Sequence, residues 1–102
     1  MNGLEQISFE IISAAGMARS LYIESIQSAK KGLFEEAKKK MEEGKELFIQ
    51  GHHAHAQLIQ KEAVGENTTV TLLLVHAEDQ LMSAETFGIL ASEFLDLYQK
   101  II

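Results

Sequence analysis

Apolar residues recur along this chain at alternating steps of three and four, in three long segments. Leu4, Ile7, Ile11, Ala14, Ala18 and Leu21 make the first series. Phe34, Ala37, Met41, Gly44, Phe48, Gly51, His55 and Leu58 make the second, and Leu74, Ala77, Leu81, Ala84, Gly88, Ala91, Leu95 and Tyr98 the third. Such steps return a residue to one side of a helix, so each series is the seam of a helix packed lengthwise on its neighbours. Glycine-marked breaks at Lys31-Gly32 and at Gly65-Glu66-Asn67-Thr68 separate the segments, and Asn67 or Thr68 is the expected cap of the third helix. Short connections make successive helices antiparallel. The pattern predicts an all-α protein, an up-down-up antiparallel three-helix bundle that uses residues 1–102 as a single domain.

The third helix carries more than one seam. Leu72, Val75, Asp79, Met82, Thr86 and Ile89 form a second stripe on roughly its opposite side. One helix cannot turn both sides into the same core, so the second stripe is expected to bury against another copy of the chain around a symmetry axis. Asp79 lies in the middle of it. Like charges gathered in a dry interface must protonate, pair or bind a cation, and carboxylate oxygens favour a hard ion such as Mg²⁺. His76 falls between the two stripes, with Gln80 and Ser83 one and two turns further on. An imidazole there lines a groove between helices or chains, and near neutral pH it can accept and release a phosphoryl group. The blander alternative is an ordinary, partly buried histidine.

Composition removes other chemistries. With no cysteine, disulfides, thiolate metal sites and cysteine nucleophiles are excluded. A net charge of −6 argues against nucleic acid and against anionic membrane surfaces. The lysines at 30–31 and 38–40 stand among acids, which suggests i,i+4 pairs such as Glu35–Lys39 and Glu36–Lys40 on a solvated face. The N-terminus lacks the basic start of a secretory signal, and no apolar run nears the roughly 18 residues of a membrane span. A cytoplasmic protein without direct membrane insertion is expected. The run His52-His53-Ala54-His55 offers a metal-site alternative, since His52 and His55 are three residues apart. No helper residues with metal spacing accompany it.

The string LLLVHAEDQLM, Leu72 to Met82, resembles the VHAQDHLM segment of the lactose/cellobiose-type IIA proteins of the bacterial sugar phosphotransferase system. AGMARSLYIESI, Ala15 to Ile26, resembles that family's AGxARSxxxEA pattern, and AHAQLIQKEA, Ala54 to Ala63, its AHxxLIQxEA pattern. The three stand in the same order, and the likeness covers nearly the whole chain. It implies a homotrimer and phosphorylation of His76 by the general histidine phosphocarrier protein. Onward transfer would go to a cysteine of the cognate IIB component, serving uptake of a β-disaccharide such as cellobiose, lactose or chitobiose. It also matches Asp79 to a metal-associated aspartate at the three-fold axis, where Mg²⁺ is expected. Gln80, Gln57 and His55 are the candidates to support the phosphoryl group. Glu78 and Gln80 depart from the glutamine and histidine usual in the family. Against the carrier stands a non-enzymatic module whose partner docks on the third helix, with His76 incidental.

Overall fold

The computed structural model describes residues 3–102 and is all-helical there: α1 spans Gly3–Lys30, α2 Phe34–Ala63 and α3 Leu72–Ile101. The predicted bundle is present. Its extents are 52 × 24 × 19 Å, and α1 packs along both other helices while α2 and α3 meet over a shorter stretch. Among the described residues, no helix is long and apolar enough to cross a membrane.

Both predicted breaks are helix stops of one kind. After α1 the Leu33 N–H bonds the Ser28 carbonyl and the Gly32 N–H that of Ala29; after α2 Glu66 bonds Lys61 and Gly65 bonds Glu62. This pairing requires a left-handed residue at the turn, which Gly32 (φ 78) and Gly65 (φ 88) supply without a Cβ clash. The α3 cap differs from expectation. Thr71, not Asn67 or Thr68, has extended backbone, and its hydroxyl accepts from the Leu74 N–H at 3.1 Å. The helix is capped one turn before its first buried seam residue, Leu74, and residues 66–70 cross over as irregular chain.

The core is built largely from small residues. Ala14, Ala15, Ala18 and Ala29 of α1 meet Ala37, Gly44, Gly51 and Ala54 of α2, with Ala77, Ala84 and Ala91 on α3. Ile11, Met41, Leu58, Leu74, Leu81 and Leu95 fill the remaining volume. The α1 seam slips from the predicted line in its second half. Tyr22 is buried and Leu21 only half so. The cause is non-local: a Cβ on Gly44 would stand 2.7 Å from the Tyr22 ring and one on Gly88 2.9 Å from it, so two glycines on facing helices form a slot for a flat side chain. Burial holds the Tyr22 phenol pKa above its ordinary value.

The charge pairs also differ from the simple i,i+4 reading. Lys40 reaches across to Glu24 of α1 at 3.0 Å, and Glu36 accepts from the Ser28 hydroxyl at 3.0 Å. Along the face of α2 the spacing is i,i+3, Glu35 with Lys38 and Glu42 with Lys45.

Candidate functional site

Two long-range polar contacts fix how α3 is turned in the bundle. On one flank the Arg19 guanidinium of α1 donates from Nη1 to the Ser83 hydroxyl at 3.4 Å. On the other, His55 Nε2 of α2 lies 2.5 Å from Glu78 Oε1, the imidazole side chain 18% and the carboxylate side chain 41% exposed. A helix turns about 100° per residue. His76, Gln80 and Ser83 therefore share the flank that α1 adjoins, and Glu78, two residues beyond His76, points about 200° away, toward α2.

His76 is exposed on that flank, in the second turn of α3. The Thr71 cap sets the start of the helix, and buried Leu74 and Ala77 on either side in sequence set its rotation. Gln80, half-buried, lies one turn on, within reach of a group carried on the imidazole. An exposed imidazole with a free ring nitrogen is a nucleophile that a partner protein can approach directly.

The two α2 candidates are placed elsewhere. His55 is bound to Glu78 across α3 from His76, so it does not border His76 within one chain. Gln57 is exposed and stands two residues from His55, about 200° around α2, and so faces away from α3. The pattern along α2 put His55 correctly on the seam, but could not say which flank of α3 that seam meets. The HHAH run is likewise dispersed: His52 stacks on Phe48 with ring centroids 6.1 Å apart, His53 is exposed, and His55 is held by Glu78. Two residues that matter to the site's geometry were not singled out from sequence. In the sequence Glu78 stands out only as a departure from the family string, and Arg19 is the single arginine of the chain, inside the AGMARS string.

The outer stripe of α3 is left bare by its own fold. Leu72 is 85% exposed, Met82 67% and Ile89 60%, with Asp79 exposed among them. No three histidine, aspartate or glutamate side chains converge on a cation position among the described residues. One chain brings a single carboxylate to this face. Copies brought together would assemble an all-oxygen donor set, which suits a hard divalent ion in chemistry and in charge.

The fold and this flank define a class: a helical scaffold that presents one unencumbered imidazole beside a bare apolar face. The family described as "PTS system, Lactose/Cellobiose specific IIA subunit" matches residues 6–99, and the chain belongs to it. Among its relatives, the lichenan-specific phosphotransferase enzyme IIA component of Bacillus subtilis is 48% identical over 98 residues, 96% of this chain and 89% of the relative. The crystal structure of the cellobiose-specific enzyme IIA of Bacillus anthracis superposes with a TM-score of 0.96 at 46% identity, covering 99% of this chain and 93% of that one. The chitobiose IIA of Escherichia coli, solved in solution as a complex with HPr, gives 0.84 at 31% identity, with 99% and 98% covered. The protein is thus a IIA phosphotransferase component of a sugar phosphotransferase system.

Proposed function

We propose that the chain carries a phosphoryl group on His76, taken from the phosphohistidine of the general histidine phosphocarrier and passed to a cysteine thiolate of the cognate IIB component. In the first step the donor's N–P bond breaks as a His76 nitrogen lone pair forms a new one in line. In the second, the IIB sulfur takes the phosphoryl group and His76 returns to neutral imidazole. Both links are high in energy, so the relay runs with little loss, and catalysis rests on positioning and charge stabilisation. Gln80 offers an amide donor to a phosphoryl oxygen from one turn away. His55 and Gln57 can serve the site only from a neighbouring copy.

The observation that carries the reading is the exposed position of His76 on a flank that neither α2 nor a charged side-chain partner covers. The solved complex of the Escherichia coli chitobiose IIA with HPr supports the choice of donor. The bare stripe supports a homotrimer about α3, with Asp79 of each copy facing the axis and holding Mg²⁺ there. A divalent ion there would offset two of the three carboxylate charges. Relatives named for lichenan, cellobiose and chitobiose, all β-linked, support a role in uptake of a β-disaccharide, with the carrier working in the cytoplasm.

The test is labelling. Incubated with phosphoenolpyruvate and the two general relay proteins, the protein should gain one acid-labile phosphate per chain. His76→Ala should fold alike, since an exposed substitution shifts stability by only about 0.5 kcal/mol or less, and should gain none. Undiminished labelling of that variant would overturn the assignment.

A further inference from the structure

The bundle has a second long groove, on the side of the α1–α2 pair away from α3. Two cavities of about 610 and 490 Å³ lie end to end there and share Met17, Leu47 and Gln50. Their lining runs along α1 from Gln6 to Glu24, which is about 27 Å at the rise of an α-helix. The floor is apolar. Phe9 is 48% exposed and Met17 53%, with Leu21 and Leu47 half-buried between them. It is here that Leu21 goes when Tyr22 takes its predicted place in the core. The rim is acidic: Glu10 and Glu24 on α1, Glu43 and Glu46 on α2, with no lysine or arginine lining either cavity. Glu24 is held by Lys40, while the ion pairs along α2 join Glu35 to Lys38 and Glu42 to Lys45 and leave the rim carboxylates Glu43 and Glu46 outside them.

An antiparallel helix pair has two grooves, and each accepts a further helix at a shallow angle. In this chain α3 fills one, and the other has the length, the apolar floor and the flanking charge of an unfilled fourth-helix position. A second copy's α3 is a poor occupant. It carries Glu78, Asp79, Glu85, Glu93 and Asp96 against the single base Lys100, and would bring like charge to an acidic rim. We infer that the α1–α2 groove docks a basic amphipathic helix of a partner protein, whose apolar stripe covers Phe9, Met17, Leu21 and Leu47 while lysines or arginines flank it against Glu10, Glu43 and Glu46. Such a partner would sit on the far side of the bundle from α3, leaving His76 of the same chain free. The surface is thus a site for regulation or scaffolding, independent of the phosphoryl step.

The probe is a synthetic 18-residue peptide of leucine at three- and four-residue steps with lysine elsewhere, titrated into the isotope-labelled full chain and followed by NMR. Saturable shifts centred on Met17, Leu21 and Leu47 are expected, weakening as salt rises and absent when glutamate replaces lysine in the peptide. Met17→Gln should weaken binding roughly tenfold. Glu43→Gln with Glu46→Gln should weaken it roughly threefold to tenfold. All these changes are at exposed positions, so the fold is kept. His76→Ala should bind the peptide unchanged, so loss of the carrier reading and loss of this one are separate results. Shifts confined to the outer stripe of α3, equal binding by the glutamate peptide, or no effect of the rim substitutions would each overturn the inference.

Discussion

Replacing Gly88 by alanine probes the closest approach in the core. In an exposed helix interior, glycine to alanine gains about 1 kcal/mol, because alanine loses less backbone entropy on folding. Gly16 provides that reference, since a Cβ there meets nothing within 4 Å. At Gly88 the new methyl would lie 2.9 Å from Cε2 and Cζ of Tyr22. Real Cβ contacts do not come so near, so something must move. The ring cannot retreat: Tyr22 is 3% exposed, and Gly44 holds its other edge at a similar distance. Overpacking of this kind costs about 1–3 kcal/mol. Set against the propensity gain, Gly88→Ala should be destabilised by about 0–2 kcal/mol, while Gly16→Ala is stabilised by about 1. The two variants should therefore differ by about 1–3 kcal/mol in opposite senses, and 1 kcal/mol moves the melting point by about 4–8 °C in a domain this size. Thermal melts followed by circular dichroism, at one fixed protomer concentration so that any self-association is held constant, give the comparison. If both variants melt at the same temperature, the slot built by Gly44 and Gly88 is not what seats Tyr22.

Three further outcomes follow from named contacts. Glu78→Ala leaves the largely buried His55 without its partner and should cost about 1–2 kcal/mol in urea denaturation, the lower end reflecting the half-exposed carboxylate; an unchanged midpoint would show that the pair contributes nothing. The raised phenol pKa of Tyr22 means that the folded chain holds this proton more tightly than the unfolded chain does, so stability is full below pH 10, the ordinary phenol value, and falls as pH climbs above it. Tyr22→Phe should flatten that alkaline decline in pH-dependent melts. For Asp79→Leu, light scattering should find trimers intact, with raised thermal stability in the absence of Mg²⁺, because desolvated like charges are removed; dissociation to monomers would contradict the axial placement of Asp79.

Much of this architecture is legible in the residue pattern, and what is not has a common cause. Period and glycine breaks locate all three helices, because a seam is a local property of a helix and each segment repeats it many times. The α2 and α3 seams face the core as read, with Phe34, Phe48, His55, Gly88 and Tyr98 half-buried and the rest buried. The α1 seam fails at Leu21 because the slot that prefers Tyr22 is made by glycines 22 and 66 residues away in sequence. His76 is legible as lying off both stripes of α3, since angular position within one helix follows from counting. Its surroundings are not. Which flank faces α1 and which faces α2 depends on the handedness of the bundle, and a single strip of sequence carries no trace of it. Hence His55 and Gln57 read as neighbours of His76, although the Glu78–His55 and Arg19–Ser83 contacts place α2 across α3 from it.

That placement bears on why the site is so sparsely furnished. In a three-helix bundle each helix has two neighbours, and α3 spends one flank on each, leaving a third side free. His76 stands where the α1 flank ends and the free side begins. A group that must receive phosphate from one protein and surrender it to another has to be approached twice, by two different surfaces. Side chains arranged closely around it would favour one of those encounters and obstruct the other. A hydrolase gains from enclosing its nucleophile, because water exclusion and fixed donors lower the barrier of a reaction completed within its own walls. A carrier gains from the reverse: the imidazole supplies the covalent link, one amide a turn away steadies the oxygens, and each partner brings the remainder of the site with it. The exposed imidazole and the Glu78 contact that keeps His55 occupied elsewhere are therefore features of one design, in which His76 is left available for transfer.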